Sequence, residues 1–271
     1  MSGYRIPGPL CTEAHPWSIF DGTSVLWRTP SPAPVCAESW LFPANPSLSQ
    51  VAVPDLSALF HQCLNPAMGL SEADYAAAAK TLAVDVATIK AVADVETSGS
   101  AFDTMGRPRI LFERHYFHRL TAGRYDTRHA RISAKSAGGY GKFSAQYGKL
   151  EEAYGLDPEA ALSSASWGRF QIMGSHYRAA GFASVRQFVQ ALTRSETAHL
   201  SAFVSFVSSD ESMAKELRAK DWAAFAKAYN GKGYKKNLYD DKLKAAYEHF
   251  TKDETAKAGK APAIAQPMKL P

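Results

Sequence analysis

The sequence predicts a mainly α-helical fold with one small β element, and three features of its patterning lead there. Capped segments with a 3.6-residue apolar period recur from residue 55 to residue 250. One β-prone run, Ile110–Phe117, interrupts them. The first 54 residues are proline-rich, carry Trp17, Trp27 and Trp40, and show no helical period. The chain therefore divides into an extended or hairpin segment over 1–54, a main domain over 55–250, and a tail over 251–271. That tail, rich in Lys, Ala and Pro without periodicity, is expected to be disordered.

Ser71-Glu-Ala-Asp74 reads as a capping box, and an alanine-rich helix follows to about Leu82. Asp85 caps a second helix over 86–97, with Gly99 placed as its stop. The irregular Gly106-Arg-Pro-Arg109 leads into Ile110–Phe117, a short strand feeding a helix. Residues 133–148, rich in Gly, Ser and Tyr, read as loop. Further helices are expected near 149–154, 157–164, 170–180, 184–192, 194–209, 211–218, 221–229 and 234–250, with no β run of comparable weight among them.

A chain of 271 residues, 46% hydrophobic and 21% charged, can bury a core without disulfides or metals and is not a disordered protein. It contains no apolar run long enough to span a bilayer, so stable membrane insertion is not expected. The prolines at the N-terminus break any signal-peptide core; synthesis in the cytoplasm is expected, with another carrier needed for action outside it. Cys11, Cys36 and Cys63 form no Cys-x-x-Cys pair and are expected as reduced thiols. The net charge is +5, but between Met105 and Lys149 ten Lys/Arg face only Glu113 and Asp126. Such a zone suits an anionic partner: nucleic acid, a membrane surface or an acidic polymer. Nucleic acid is disfavoured, because no helix-turn-helix, zinc or RNP pattern accompanies the charge.

The residue that stands out is Glu96. Ile89, Val92, Ala93 and Glu96 fall at i, i+3, i+4 and i+7 on one apolar stripe, with Lys90 and Asp94 as an i,i+4 pair on the opposite face. Burial and a helix C-terminus both disfavour the charged carboxylate, which suits a general acid near neutral pH. Glu113 follows seventeen residues later, with Asp103 a third candidate between them. Paired carboxylates suit glycoside hydrolysis, retaining or inverting. Gly168 and Gln171 in Ser166-Trp-Gly-Arg-Phe-Gln-Ile-Met-Gly174, and Tyr229 and Asn230 in Ala228-Tyr-Asn-Gly231, have the character of a saccharide cleft. Glu113, His115 and His118 lack a third His or Cys, and Arg114 and Arg119 oppose a cation; neither a metal nor another cofactor is expected.

Four motifs occur in order: Val92-Ala-Asp-Val-Glu-Thr-Ser-Gly99, Gly106-Arg-Pro-Arg-Ile-Leu-Phe-Glu-Arg-His115, Ser166–Gly174 and Ala228–Gly231. Together they closely resemble the N-acetylmuramidase domain of modular endolysins from phages of Gram-negative bacteria, over about residues 70–250. The last two also look like signatures of goose-type lysozymes and lytic transglycosylases. The resemblance implies an α+β lysozyme-like fold acting on peptidoglycan glycan strands at the bond between N-acetylmuramic acid and N-acetylglucosamine. It implies Glu96 as catalytic acid, Glu113 as a second acidic residue, and Gln171, Tyr229 and Asn230 as cleft residues. Two alternatives accompany it: a lytic transglycosylase with Glu96 as sole acid and base, and a non-catalytic wall-binding protein. Residues 1–54 depart from the three-helix binding domain usual in such endolysins and resemble what precedes similar domains in type VI secretion effectors. A monomer acting in the periplasm is expected, with a delivery or immunity protein as possible partner.

Overall fold

Two side-chain caps set the first pair of helices. The computed structural model describes residues 55–60, 68–96 and 100–258. At the start of α1 (Glu72–Leu82), the Ser71 hydroxyl accepts from the Asp74 N–H, and Asp74 accepts from the Ser71 N–H at 2.8 Å. Asp85 accepts from the Thr88 N–H at 2.8 Å and opens α2 (Val86–Val95). The expected stop at Gly99 lies outside the described residues; the helix ends at Val95, with Glu96 as its C-terminal cap.

Helix α2 is enclosed from Ala87 to Ala93, by α1 on one side and by the long α10 (Tyr239–Ala258) on another. That enclosure overturns the expected Lys90–Asp94 pair on a solvent face. Lys90 is 8% exposed, and its ammonium meets Glu72 at 2.7 Å and Glu254 at 3.6 Å, carboxylates of the two covering helices. Because α10 continues to Ala258, the expected disordered tail does not begin at Thr251. The N-terminus of α2 is tied down as well: Asp85 accepts from Tyr247 at 3.1 Å and pairs with Lys220 at 3.1 Å.

The expected strand and helix are present as β1 (Ile110–Phe112) and α3 (Arg114–Leu120). After β2 (Ala165–Trp167), the helix expected over 170–180 is replaced by β3 (Ile172–Met173) and a 3-10 turn Gly174–His176. The sheet is antiparallel in order β1-β2-β3, with Ile110 opposite Trp167 and Trp167 opposite Ile172. Gly168 and Gln171 take positive φ, +69° and +46°, which turns the chain back where an α-helix would need negative values. Trp167 and Phe170 bury their rings, and the Trp167 indole donates to Leu162 O at 3.0 Å.

Part of the expected loop over 133–148 is helical. A 3-10 turn at Phe143–Ala145 precedes α4 (Gln146–Leu156). Gln146, buried, accepts from the Phe112 N–H at 3.0 Å and donates to Tyr140 O at 2.7 Å, tying β1 to the preceding loop. Asp157 caps α5 (Pro158–Ser163). Helices α6 (Val185–Leu192), α7 (Glu196–Ser208), α8 (Glu211–Ala219) and α9 (Trp222–Asn230) complete the core close to their expected bounds.

Candidate active site

Helix α2 delivers Glu96 to a cavity of about 520 Å³. Its walls come from the sheet (Ile110, Leu111, Ser166, Gly168, Gln171) and from the α9–α10 region (Asn230, Asn237, Tyr239, Lys242). Among the described residues lining it, Glu96 is the single carboxylate. Burial pushes its carboxyl up to about 7, opposed by one hydrogen bond from Asn230 Nδ2 to Oε1 at 3.4 Å. A carboxylic acid of that strength is partly protonated at neutral pH and can donate its proton.

The structure brings Gln171, Asn230 and Gly168 to this cavity and holds Tyr229 back. Gln171 lines the wall, but its amide is engaged within the protein. Its oxygen accepts from the Ser166 hydroxyl and its nitrogen donates to Gly168 O, both at 2.8 Å. It therefore stiffens the β2–β3 turn. Gly168 is required by its φ and by what lies behind it: a Cβ there would stand 2.7 Å from the His199 ring. Tyr229, expected as a cleft residue, is instead packed among Phe203, Phe206 and Phe225 and donates to Phe170 O at 2.7 Å.

Glu113 lies outside the cavity lining. It precedes α3, 3.1 Å from His115 Nδ1, and burial raises its carboxyl against the Tyr140 hydroxyl, His115 and Lys149. Asp103 is bound by Arg107 at 2.8 Å and accepts from the N–H groups of Met105 and Arg107, so its part is to close a loop. His118 pairs with Asp126 at 2.7 Å, away from Glu113 and His115 in its bonding. Among the described residues, no group of three or more His, Cys, Asp or Glu is placed to hold a metal.

Sequence reasoning missed the network behind the turn. Arg169 Nε donates to Glu196 at 2.7 Å and its Nη1 to Ala93 O at 3.2 Å, gripping the last turn of α2 ahead of Glu96. The Arg169 N–H donates to His199 Nδ1 at 3.0 Å, so Nε2 carries the ring proton and donates to Leu192 O at 2.6 Å. Burial lowers His199 to about 4, in keeping with that neutral tautomer. Glu196, His199, Leu200 and Phe203 share one stripe of α7, the same spacing that singled out Glu96. Of the ten cations between Met105 and Lys149, Arg109 alone lines the cavity; Arg107, Arg131 and Lys149 serve Asp103, Glu152 and the carbonyls of Gly139 and Tyr140.

The model of the N-acetylmuramidase family matches residues 85–251. Among solved structures, the chain is similar to the crystal structure of the Burkholderia AP3 phage endolysin. Identity is 41% and the TM-score 0.65, over 69% of this chain and 72% of that one. No curated protein matches the chain significantly. A helical body with a small antiparallel sheet agrees with the α+β lysozyme-like fold, and with more than half its length matched, the chain belongs to the N-acetylmuramidase family of peptidoglycan-degrading, lysozyme-type glycoside hydrolases.

Proposed function

We propose that this muramidase cleaves the β-1,4 bond between N-acetylmuramic acid and N-acetylglucosamine, with Glu96 protonating the leaving glycosidic oxygen. One observation carries the reading. The only carboxylate among the described lining residues is half-buried, raised to about 7 by desolvation, and held on a helix end gripped by Arg169. Asn230 touches the acid, Gln171 and Gly168 form the wall, and Tyr229 supports the turn through Phe170. Glu113, outside the cavity, is given no contact with the reacting atoms. The test is Glu96→Gln: lysis of permeabilised cells should stop while the far-ultraviolet spectrum is unchanged, and retained lysis would remove Glu96 from the chemistry.

The lone carboxylate also favours a second reading, a lytic transglycosylase. There Glu96 gives its proton to the leaving oxygen, then as carboxylate takes the proton of the muramoyl C6 hydroxyl, which closes a 1,6-anhydro ring. Mass spectrometry of the released fragments separates the two. Reducing ends mean hydrolysis, and products lighter by one water per cleavage mean ring closure.

The setting follows from the substrate. The wall lies in the periplasm, so the protein acts there as a bacteriolytic agent on a phage host or a target bacterium. No described helix is long and apolar enough to cross a membrane. A monomer suffices for a cavity built within one chain. A delivery or immunity protein is the partner this setting calls for, detectable by co-purification.

A further inference from the structure

Among the described Phe, Tyr and Trp side chains, Phe143 alone is exposed, at 48%, and it stands in the lining of the Glu96 cavity. The other exposed large hydrophobic residues, Met68, Met105, Leu120 and Leu238, do not line it. The ring is fixed by what surrounds it. Arg109, immediately ahead of β1, lays its guanidinium 4.3 Å from the ring centroid and covers one face. Phe143 opens the 3-10 turn before α4, and the glycine-rich loop leading to it is tied down along its length. The Lys149 ammonium donates to Gly139 O and Tyr140 O, both at 2.6 Å. Gln146 Nε2 donates to Tyr140 O at 2.7 Å and to Lys142 O at 3.2 Å. Arg114 Nε donates to Ser136 O at 3.2 Å, and the Tyr140 hydroxyl bonds Glu113 at the start of α3. A ring on so tethered a backbone offers its second face with little left to order on binding.

The rest of the lining indicates what that face meets. Asn230, Asn237 and Ser100 bring amides and a hydroxyl to the cavity, groups that a lipid chain or an apolar peptide would leave unpaired. A pyranose ring with equatorial substituents suits both features. Its rim of hydroxyl and acetamido groups can pair with the amides, and its faces carry only C–H bonds, which an aromatic face covers.

We propose that Phe143 is a stacking platform for one pyranose ring of the glycan, a binding residue that recognises the C–H face common to both sugars and not a muramoyl substituent. The proposal rests on the Glu96 cavity being the glycan site, and its central test is binding, so that it does not depend on Glu96 being the acid.

The experiment uses the full chain with Glu96→Gln and calorimetry. The probes are a tetramer of β-1,4-linked N-acetylglucosamine, which has no muramoyl group, and soluble uncrosslinked peptidoglycan chains. Adding Phe143→Ala should weaken both about tenfold. Phe143→Leu should weaken them nearly as much, because a branched side chain offers no flat face, and Phe143→Trp should bind at least as tightly as Phe143. With Glu96 intact, Phe143→Ala should lower kcat/KM on the soluble chains through KM, since a stacked ring is held equally in the ground and transition states. Circular dichroism and melting check each variant's fold. Undiminished affinity in Phe143→Ala, a Leu variant as good as the Trp variant, a loss confined to the muramoyl chains, a fall in kcat at constant KM, or no binding of the tetramer overturns the platform. Failure of the acid assignment looks different: Glu96→Gln would still lyse permeabilised cells while the tetramer ranked the Phe143 variants as above.

Discussion

Glu96 closes α2 and Glu196 opens α7, each on the buried stripe of its helix: Val92 and Ala93 precede Glu96 by four and three positions, and His199 and Leu200 follow Glu196 by three and four. Glu196 is 3% exposed and receives Nε of Arg169 at 2.7 Å; Glu96 faces a cavity and receives one long amide bond from Asn230 at 3.4 Å. Their helix ends differ too. Glu196 stands in the first turn, where the dipole favours a negative charge, and Glu96 stands at the last, where it does not. Burial alone therefore does not make a proton donor. The half-buried Glu96 becomes one where no guanidinium meets its charge, whereas the more deeply buried Glu196, paired with Arg169, makes a structural brace.

Breaking the two carboxylates separately should break two different properties. Glu96→Gln should cut turnover by roughly 10²–10⁴, the range of a general acid. It should also stabilise the protein in alkali. The folded carboxyl, raised from 4.5 to about 7, binds more protons than the unfolded one across that interval, so stability falls as pH rises through it. Removing the charge removes that fall, and melting at pH 8 should rise relative to the parent while melting at pH 4 stays level. Glu196→Gln should do the reverse. It takes the Glu196 carboxylate away from the largely enclosed Arg169 guanidinium, at a cost of about 3 kcal/mol by urea unfolding. Parental stability in that variant would show that the brace is idle.

The shared pattern explains what was legible in the sequence. Capping residues act over three positions, so Ser71 and Asp85 mark their helices from local sequence alone. The Glu96 stripe is local as well. The helix expected over 170–180 gives way to β3 because two-residue and three-residue strands are too short to show alternation, and because the positive φ at Gln171 goes with side-chain bonds to Ser166 and Gly168 that no local period reveals. Tyr229 was read into the cleft because a helix end suggests an exposed group. Three phenylalanines distant in sequence or a turn away enclose it instead. The partners that distinguish Glu196 from Glu96 lie 27 and 134 residues from them in the chain, beyond any periodicity.

The brace should also give the protein an acid limit of opposite sign to that of Glu96. His199, lowered to about 4, binds fewer protons folded than unfolded between that value and 6.5. Its contribution is present above pH 6.5 and is lost as pH falls through 6.5 towards 4, by up to a few kcal/mol. Protonation would place a second donor against the Arg169 N–H. Urea midpoints at pH 7, 5.5 and 4.5 should therefore decline. An imidazole resonance of His199 titrating near 6.5 in the folded protein would contradict the closed network.

The smallest effects should separate contact with the acid from support of its surroundings. Tyr229→Phe removes one hydrogen bond, to Phe170 O, and leaves the ring among Phe203, Phe206 and Phe225. The loss should be about 1 kcal/mol of stability, with a modest fall in kcat and no change in KM, because Tyr229 does not line the cavity. Asn230→Ala removes the one bond that favours ionised Glu96, so the carboxyl should rise further and the alkaline limb of the kcat–pH profile should move to higher pH. Tyr229→Phe should leave that limb where it is. A shift in both variants would mean that the turn held by Tyr229, and not the Asn230 amide, sets the acid strength of Glu96.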